Sequence, residues 1–132
     1  MFGYHEASEI SELDNFIKQG FHIISCDASY RNKVGTCSVQ IRNGGRENKI
    51  KNKSFLAIGP NEAEMMSLLW GIREAKKIKS IKKSIFTNDN YQAINFVVGN
   101  FIPSQTNIKK VVNKITTELQ QLKIPYEFAL VR

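Results

Sequence analysis

The order of strand and helix patterns along the chain predicts an α/β fold with a mixed five-stranded sheet flanked by helices. Three observations support it: apolar or alternating stretches typical of strands, apolar residues at helical spacing, and tight turns between the first strands. Strands joined by turns run antiparallel, whereas strands joined by helices run parallel. The simplest arrangement has the strand order 3-2-1-4-5.

The first half of the chain supplies a helix and three strands. Residues 8–19 form the predicted helix, because Ile10, Leu13 and Ile17 recur at helical spacing and Gly20 follows as a stop signal. The three strands cover residues 21–30, 34–42 and about 47–58. Turns at 31–33 and at Asn43-Gly44-Gly45 join them. On the third strand, one face carries Lys49, Lys51 and Lys53, a pattern that protects an edge strand from aggregation.

The second half alternates helices and strands. A long helix over residues 62–78 has an apolar stripe formed by Met65, Leu68, Leu69, Ile72 and Ala75. It is followed by a strand at 84–87, helices at 91–98 and 105–122, and a last strand at 126–131. Lysines crowd residues 76–83, either as a solvated helix end or as a contact for phosphates.

Length and composition indicate one globular domain, in which residues 1–20 hold the N-terminal helix and 21–132 the core. The chain has 132 residues, of which 42% are apolar and 23% charged. Its net charge of +7 and pI near 9.5 favour a polyanionic partner such as nucleic acid, although a lysine-rich solvated surface has the same charge.

The cysteines and the apolar segments bear on the compartment. Cys26 and Cys37 fit no metal-binding spacing and fall inside predicted strands, which favours buried free thiols in a reducing compartment. No apolar stretch is long enough to span a bilayer, and the first fifteen residues do not resemble a secretory signal. We expect a cytoplasmic protein that makes no membrane contact.

Three carboxylates lie where a strand, a helix and another strand direct them to one place. Asp27 lies on the first strand, Glu64 near the start of the long helix, and Asp89 just after the fourth strand, which neighbours the first. Converging carboxylates repel one another unless a divalent cation binds them. The pattern therefore predicts a two-metal site of the kind that hydrolyses phosphodiesters. Each acid also has a plainer alternative role. Asp27 could cap a turn, and Asp89 could be the N-cap of the helix that follows it. Glu64 could be a solvated first-turn acid favoured by the helix dipole, a role that Glu62 could also fill.

The motifs around these acids resemble those of the ribonuclease H family, type 1, over about residues 21–132. They are Asp27-Ala28-Ser29, Asn61-x-x-Glu64 and Asp89-Asn90, in this order and on these element types. The resemblance implies a ribonuclease H-like fold and an endonuclease that hydrolyses the RNA strand of RNA–DNA hybrids with two Mg²⁺ or Mn²⁺ ions.

The resemblance also implies roles for individual residues. Asp27 would bridge both metal ions, while Glu64 and Asp89 would hold one metal ion and help position the attacking water. Asn61 would contact the hybrid in the minor groove, where the 2′-hydroxyl distinguishes RNA, and Asn90 adjoins the same nucleic-acid surface. Ala28 departs from the family's usual glycine, and no basic segment separates the last two helices.

In the family, the fifth strand is followed by a histidine-bearing loop and a helix that carries a fourth acid, whereas this sequence ends after its fifth predicted strand. One hypothesis is a circular permutation, in which the N-terminal helix takes the place of that last helix. It assigns Asp14 as the fourth metal ligand and His5 as a proton relay, with Glu9 or Glu6 as alternatives to Asp14. The other interpretation is an ordinary helix that packs on the open sheet edge with Asp14 exposed.

Two further functions remain open at this point. The first is a catalytically weak or inactive nucleic-acid-binding module on the same fold, since a fold does not establish activity. The second is a scaffold that pairs its open sheet edge with another protein. We expect a monomer whose partner is an RNA–DNA hybrid.

Overall fold

The structure is a computed structural model that describes residues 3–43 and 49–132. These residues form one sheet with helices packed on its two faces. The strands are β1 (His5–Ala7), β2 (His22–Arg31), β3 (Val34–Arg42), β4 (Lys49–Leu56), β5 (Ser84–Asn88) and β6 (Tyr126–Val131). The α-helices are α1 (Asp14–Lys18), α2 (Pro60–Lys76), α3 (Tyr91–Val98) and α4 (Thr106–Gln121), and a 3-10 helix covers Ile10–Leu13. Across the sheet, the strand order is β1-β6-β5-β2-β3-β4.

Five of these strands confirm the predicted order. β2 and β3 pair antiparallel, with Asp27 opposite Ser38. Their turn passes through Asn32 and Lys33 at φ of 50° and 64°, the left-handed conformation that closes a short hairpin. β4 continues antiparallel, whereas β5 runs parallel to both β2 and β6. The strand that leads to Asp89 is therefore next to the strand that carries Asp27.

The sheet has a sixth strand that the sequence analysis missed. β1 pairs in parallel with β6, from His5 opposite Ala129 to Ala7 opposite Val131. It has only three residues and too little alternation to show a strand pattern, so its pairing depends on the free backbone groups of β6. The edge that was predicted to be open is thus covered by the chain's own N-terminal segment.

The predicted helix over residues 8–19 is also corrected. The segment forms the 3-10 helix and then the five-residue α1, so the spacing of Ile10, Leu13 and Ile17 marks an apolar face but not one continuous helix. Both pieces pack on the sheet at the face opposite α2, α3 and α4, in a cluster with Phe21 and Ile23. Apolar contact with the sheet is what holds such short helices, which are unstable alone.

The main core lies between the other face of the sheet and the three longer helices. Its largest fully buried side chains include Ile24, Met65, Leu68, Ile72 and Phe86. The stripe predicted for the long helix is buried, as the helical spacing of its residues requires. This packing fixes α2 against β2, and so fixes the residues that each of them carries.

Gly71 allows α2 to approach β2 closely. A Cβ atom at this position would lie 2.4 Å from Cys26 Sγ and 3.3 Å from Ile24 Cγ2. Any larger residue would require the Cys26 side chain or the helix to shift. The distance between Glu64 on α2 and Asp27 on β2 therefore depends on a glycine seven residues away from Glu64.

Element boundaries otherwise differ from the predicted ones by one or two residues. The long helix covers Pro60–Lys76, because the proline fits its first turn, and α4 covers Thr106–Gln121. The predicted turn at Gly44-Gly45 and the first residues of the third strand lie outside the described residues. Among the described residues, no helix combines the length and apolarity that crossing a bilayer requires.

Candidate active site

The structure brings the three predicted carboxylates together. Asp27 projects from β2, Glu64 from the first turns of α2, and Asp89 from the residue that follows β5. One carboxylate oxygen from each lies within 4.8 Å of the others. Asp27 and Asp89 are exposed, and Glu64 is half-buried between them and the core. The geometry places all three acids on one small surface, where solvent and a substrate have access.

Burial and the negative charge of Asp89 oppose the ionisation of Glu64 and Asp27. Burial, followed by the charge of Asp89, raises the pKa of Glu64 to about 8. Burial and the charge of Asp89 also raise the pKa of Asp27, against a hydrogen bond from the Ala28 backbone N–H. Raised carboxylate pKa values of this origin are typical of functional sites, because a structural surface would have separated the charges.

Asn88 is a site residue that the sequence analysis missed. Its buried side-chain amide donates to the Cys26 carbonyl at 2.9 Å, to Glu64 Oε1 at 3.3 Å and to Ser67 Oγ at 3.3 Å. One amide thus joins β5, β2 and α2, the three elements that supply the carboxylates. The sequence signal was slight, because Asn88 is only a polar residue at the end of a buried strand. The neighbouring Asp89 was interpreted as the functional residue of this segment.

Asn61 and Asn90 lie together beside the triad, and their assignment to nucleic-acid binding stays a prediction. Asn90 Nδ2 donates to Asn61 Oδ1 at 3.4 Å, and Asn61 Nδ2 donates to Gln92 Oε1 at 2.5 Å. The Asn90 side chain also caps α3 by accepting from the Ala93 N–H at 2.8 Å. Gln92 was not predicted. These amides form a polar cluster that offers both donors and acceptors to a ligand next to the acids.

The structure does not bring Asp14 or His5 into the carboxylate group. Asp14 Oδ1 lies 3.7 Å from Arg42 Nη2, and His5 Nε2 lies 2.8 Å from Glu127 Oε1 at the start of β6, a position remote from the carboxyl end of that strand. Of the two alternatives, Glu6 contacts Arg132, and Glu9 accepts a hydrogen bond from Ser11. Within the described residues, the group that can hold a metal therefore contains three acids.

A shallow depression of about 400 Å³ extends from the triad over the sheet face that carries α1. Asp27 and Asp89 lie at one end of it, while Gln40, Arg42 and Ile10 line the rest. Ile10 belongs to the 3-10 helix, so the N-terminal segment forms a wall of the site even though its acids lie outside the triad. The circular permutation and the roles predicted for Asp14 and His5 stay predictions.

The donor set of the triad fits hard divalent cations. All three side chains offer oxygen, and the charges on the carboxylates need neutralisation at this spacing. Mg²⁺ and Mn²⁺ prefer such ligands and leave water molecules in the remaining positions. Asp27, Glu64 and Asp89 are the residues that would hold them.

The chain is similar to known proteins in its structure but not in its sequence. No protein-family model and no curated protein sequence matches the chain. Among solved structures, ribonuclease H1 of the archaeon Halobacterium salinarum is similar, with a TM-score of 0.75 at 11% identity, over 86% of this chain and 87% of that one. The N-terminal ribonuclease H domain of a Mycobacterium tuberculosis protein matches with a TM-score of 0.74 at 13% identity, over 85% and 87%.

A third similar structure is a compost-derived ribonuclease H1 in complex with an RNA/DNA hybrid, with a TM-score of 0.72 at 14% identity, over 84% of this chain and 86% of that one. At these identities the likeness concerns the course of the backbone and not the side chains. It covers 84–86% of this chain, so the α/β class is confirmed. The chain has the ribonuclease H fold.

Proposed function

We propose that this protein is a metal-dependent endonuclease that hydrolyses the RNA strand of RNA–DNA hybrids. The observation that carries the proposal is the meeting of Asp27, Glu64 and Asp89 within 4.8 Å on a ribonuclease H fold. A fold alone does not establish activity, whereas a cluster of three acids on that fold, two of them with raised pKa values, adds the chemistry. The proposed cofactor is a pair of Mg²⁺ or Mn²⁺ ions.

Asp27, Glu64 and Asp89 are the residues that would hold the metal ions. When bound, two divalent ions would lower the pKa of a water molecule and neutralise charge on the attacking and leaving oxygens. Glu64 would have to release its proton to hold a metal ion, because burial and the charge of Asp89 raise its pKa to about 8 in the metal-free protein. Asn88 positions Glu64 through its hydrogen bond.

Recognition of the hybrid is assigned to the amide cluster beside the triad. Asn61 and Asn90 offer donors and acceptors suited to a minor groove, where the 2′-hydroxyl of the RNA strand is accessible. The exposed lysines supply charge that attracts phosphates, so affinity for the hybrid falls steeply with salt. We propose a monomer, since β1 covers the β6 edge of the sheet.

A nucleic-acid-binding module without strong catalysis is the second candidate. The observation in its favour is that no fourth acid joins the triad within residues 3–43 and 49–132. A three-acid site would bind metal more weakly than a four-acid site, since each carboxylate adds ligand charge. The hybrid would then be bound with little cutting.

Cleavage assays on matched duplexes separate the two candidates. One RNA sequence is paired with DNA or with RNA, and the hybrid is labelled on either strand. The nuclease hypothesis predicts metal-dependent cuts within the RNA strand of the hybrid and an intact DNA strand. Salt-sensitive binding of the hybrid without cuts at any Mg²⁺ or Mn²⁺ concentration would favour the binding module.

A further inference from the structure

A second groove lies on the helix-covered face of the sheet, away from the triad. It has a volume of about 490 Å³ and is bounded by β4, the middle and end of α2, and the last part of α4. Its lining includes Phe55, Met66, Trp70, Arg73 and Glu118. None of the residues assigned to hydrolysis or to hybrid recognition lines it, so the proposed function does not account for it.

Basic side chains surround this groove. The cations that line it are Lys53, Arg73, Lys76 and Lys77, and all four are exposed. Glu118 is the acid among the lining residues; Lys76 binds it at 2.8 Å and Arg73 at 3.4 Å. Behind the rim, Glu74 is shared between Lys77 at 3.4 Å and Lys51 at 3.1 Å. Five cations against two acids leave this region with an excess of three positive charges.

The inner surface of the groove is aromatic and apolar. Trp70, the single tryptophan of the chain, is half-buried, and its Nε1–H donates to Glu74 Oε1 at 3.1 Å. That bond fixes the indole in a defined orientation. Phe55 and Met66 beside it are also half-buried. The groove thus joins a positively charged rim to partly exposed aromatic surface.

From this combination we propose that the groove binds a single-stranded segment of nucleic acid, with its phosphates on the basic rim and a base against Trp70. Proteins that bind single strands combine a positive groove with aromatic rings, because every unpaired base has a face that can stack. The volume suits a nucleotide or two, in the range of small-molecule sites, whereas a duplex is too wide to enter.

The groove is placed to hold an unpaired strand that leads away from the triad. Trp70 follows Glu64 by six residues on the same helix, which is about 9 Å along the helix axis. A single-stranded flank of a duplex bound at the triad can therefore reach the groove. Binding itself does not require hydrolysis, so it is testable whether or not the protein cleaves hybrids.

The test uses Trp70 as its own reporter. Short oligodeoxythymidine is titrated into the metal-free protein at low salt while tryptophan fluorescence is recorded. We expect saturable quenching whose dissociation constant rises steeply with salt. The double variant Lys53→Gln, Lys77→Gln should weaken binding about ten-fold or more. The matched control Lys18→Gln, Lys109→Gln removes the same charge from α1 and the start of α4, and should change it less than two-fold.

Stacking is tested separately, by anisotropy of a labelled oligodeoxythymidine. Trp70→Leu should weaken binding about ten-fold, and Trp70→Phe, which keeps an aromatic ring, should retain most of it. The proposal is overturned if fluorescence does not change, if both lysine pairs weaken binding equally, or if polyglutamate of equal charge quenches as well as the oligonucleotide. Cleavage of a blunt hybrid should change to the same extent in the Lys53, Lys77 double variant and in the Lys18, Lys109 control, which separates a failure here from a failure of the nuclease hypothesis.

Discussion

Asn88 and Glu64 are joined by a hydrogen bond of 3.3 Å, from the buried amide of β5 to the carboxylate of α2. The same amide binds the Cys26 carbonyl on β2 at 2.9 Å. Asn88 lies on β5 and contacts both β2 and α2, the other two elements that supply the acids. The separation of the three acids is therefore set by this residue.

Replacing Asn88 with Leu keeps the branched shape of the side chain but removes its hydrogen-bond donors. We expect a loss of about 1–3 kcal/mol in the free energy of unfolding, because the buried Cys26 carbonyl and Ser67 hydroxyl lose a partner. Urea denaturation measures this loss, and Mn²⁺ affinity should fall as Glu64 becomes less ordered. Asn113→Leu, on the exposed surface of α4, is the control. Equal stability of the two variants would show that Asn88 does not hold these elements together.

The raised pKa of Glu64 makes the stability of the metal-free protein depend on pH. The folded state holds the proton more tightly than the unfolded state, where the pKa is near 4.5. The stability associated with that proton is fully present below about pH 4.5 and is lost as the pH rises through about 8. The raised pKa of Asp27 has the same sign.

In EDTA, we therefore expect Glu64→Gln to melt at a higher temperature than the wild type at pH 8.5, by several degrees. The difference should shrink towards pH 4.5, and saturating Mn²⁺ should remove or reverse it. Thermal scans across this range provide the measurement. A melting difference that stays constant with pH would mean that Glu64 is not the titrating group.

Gly71→Ala tests the close approach of α2 to β2. Its Cβ would collide with Cys26 Sγ, so the Cys26 side chain or the helix must shift, and we expect a loss of about 1–3 kcal/mol in unfolding free energy. The shift moves Glu64 relative to Asp27, so metal affinity should fall as well. Gly59→Ala is the matched control, since a Cβ there has nothing within 4 Å and the backbone is extended. If the two alanine variants behave alike, the contact with Cys26 is not tight.

The hypothesis that a fourth acid binds metal is tested by comparing the variants Asp14→Asn and Glu9→Gln. Asp14 contacts Arg42 and lies outside the triad, so we expect its variant to change Mn²⁺ affinity and hybrid cleavage less than two-fold. Glu9 precedes Ile10, which lines the depression beside Asp27, so of the two it is better placed to approach a bound ion. A ten-fold loss confined to Asp14→Asn would restore the ligand role that the permutation hypothesis gave it.

The sequence predicted most of the sheet because its strands and helices have distinct periodicities, and it predicted the triad because three acids followed those elements in order. β1 was missed because three residues carry no period, and the N-terminal helix was overextended because a 3-10 turn shares nearly the same apolar spacing. Asn88 was missed because only the packed structure shows its three acceptors. The groove at Trp70 joins residues from β4, α2 and α4 that no local pattern relates.

The central claim is that Asp27, with Glu64 and Asp89, binds metal ions that hydrolyse RNA in hybrids. The most direct test is cleavage of an RNA-labelled hybrid in Mg²⁺ and in Mn²⁺ by the wild type and by Asp27→Asn, with folding of both checked by circular dichroism. We predict cutting of the RNA strand that requires metal and falls at least a hundred-fold in the variant. No cutting by the folded wild type in either metal, or equal cutting by the variant, would contradict the claim.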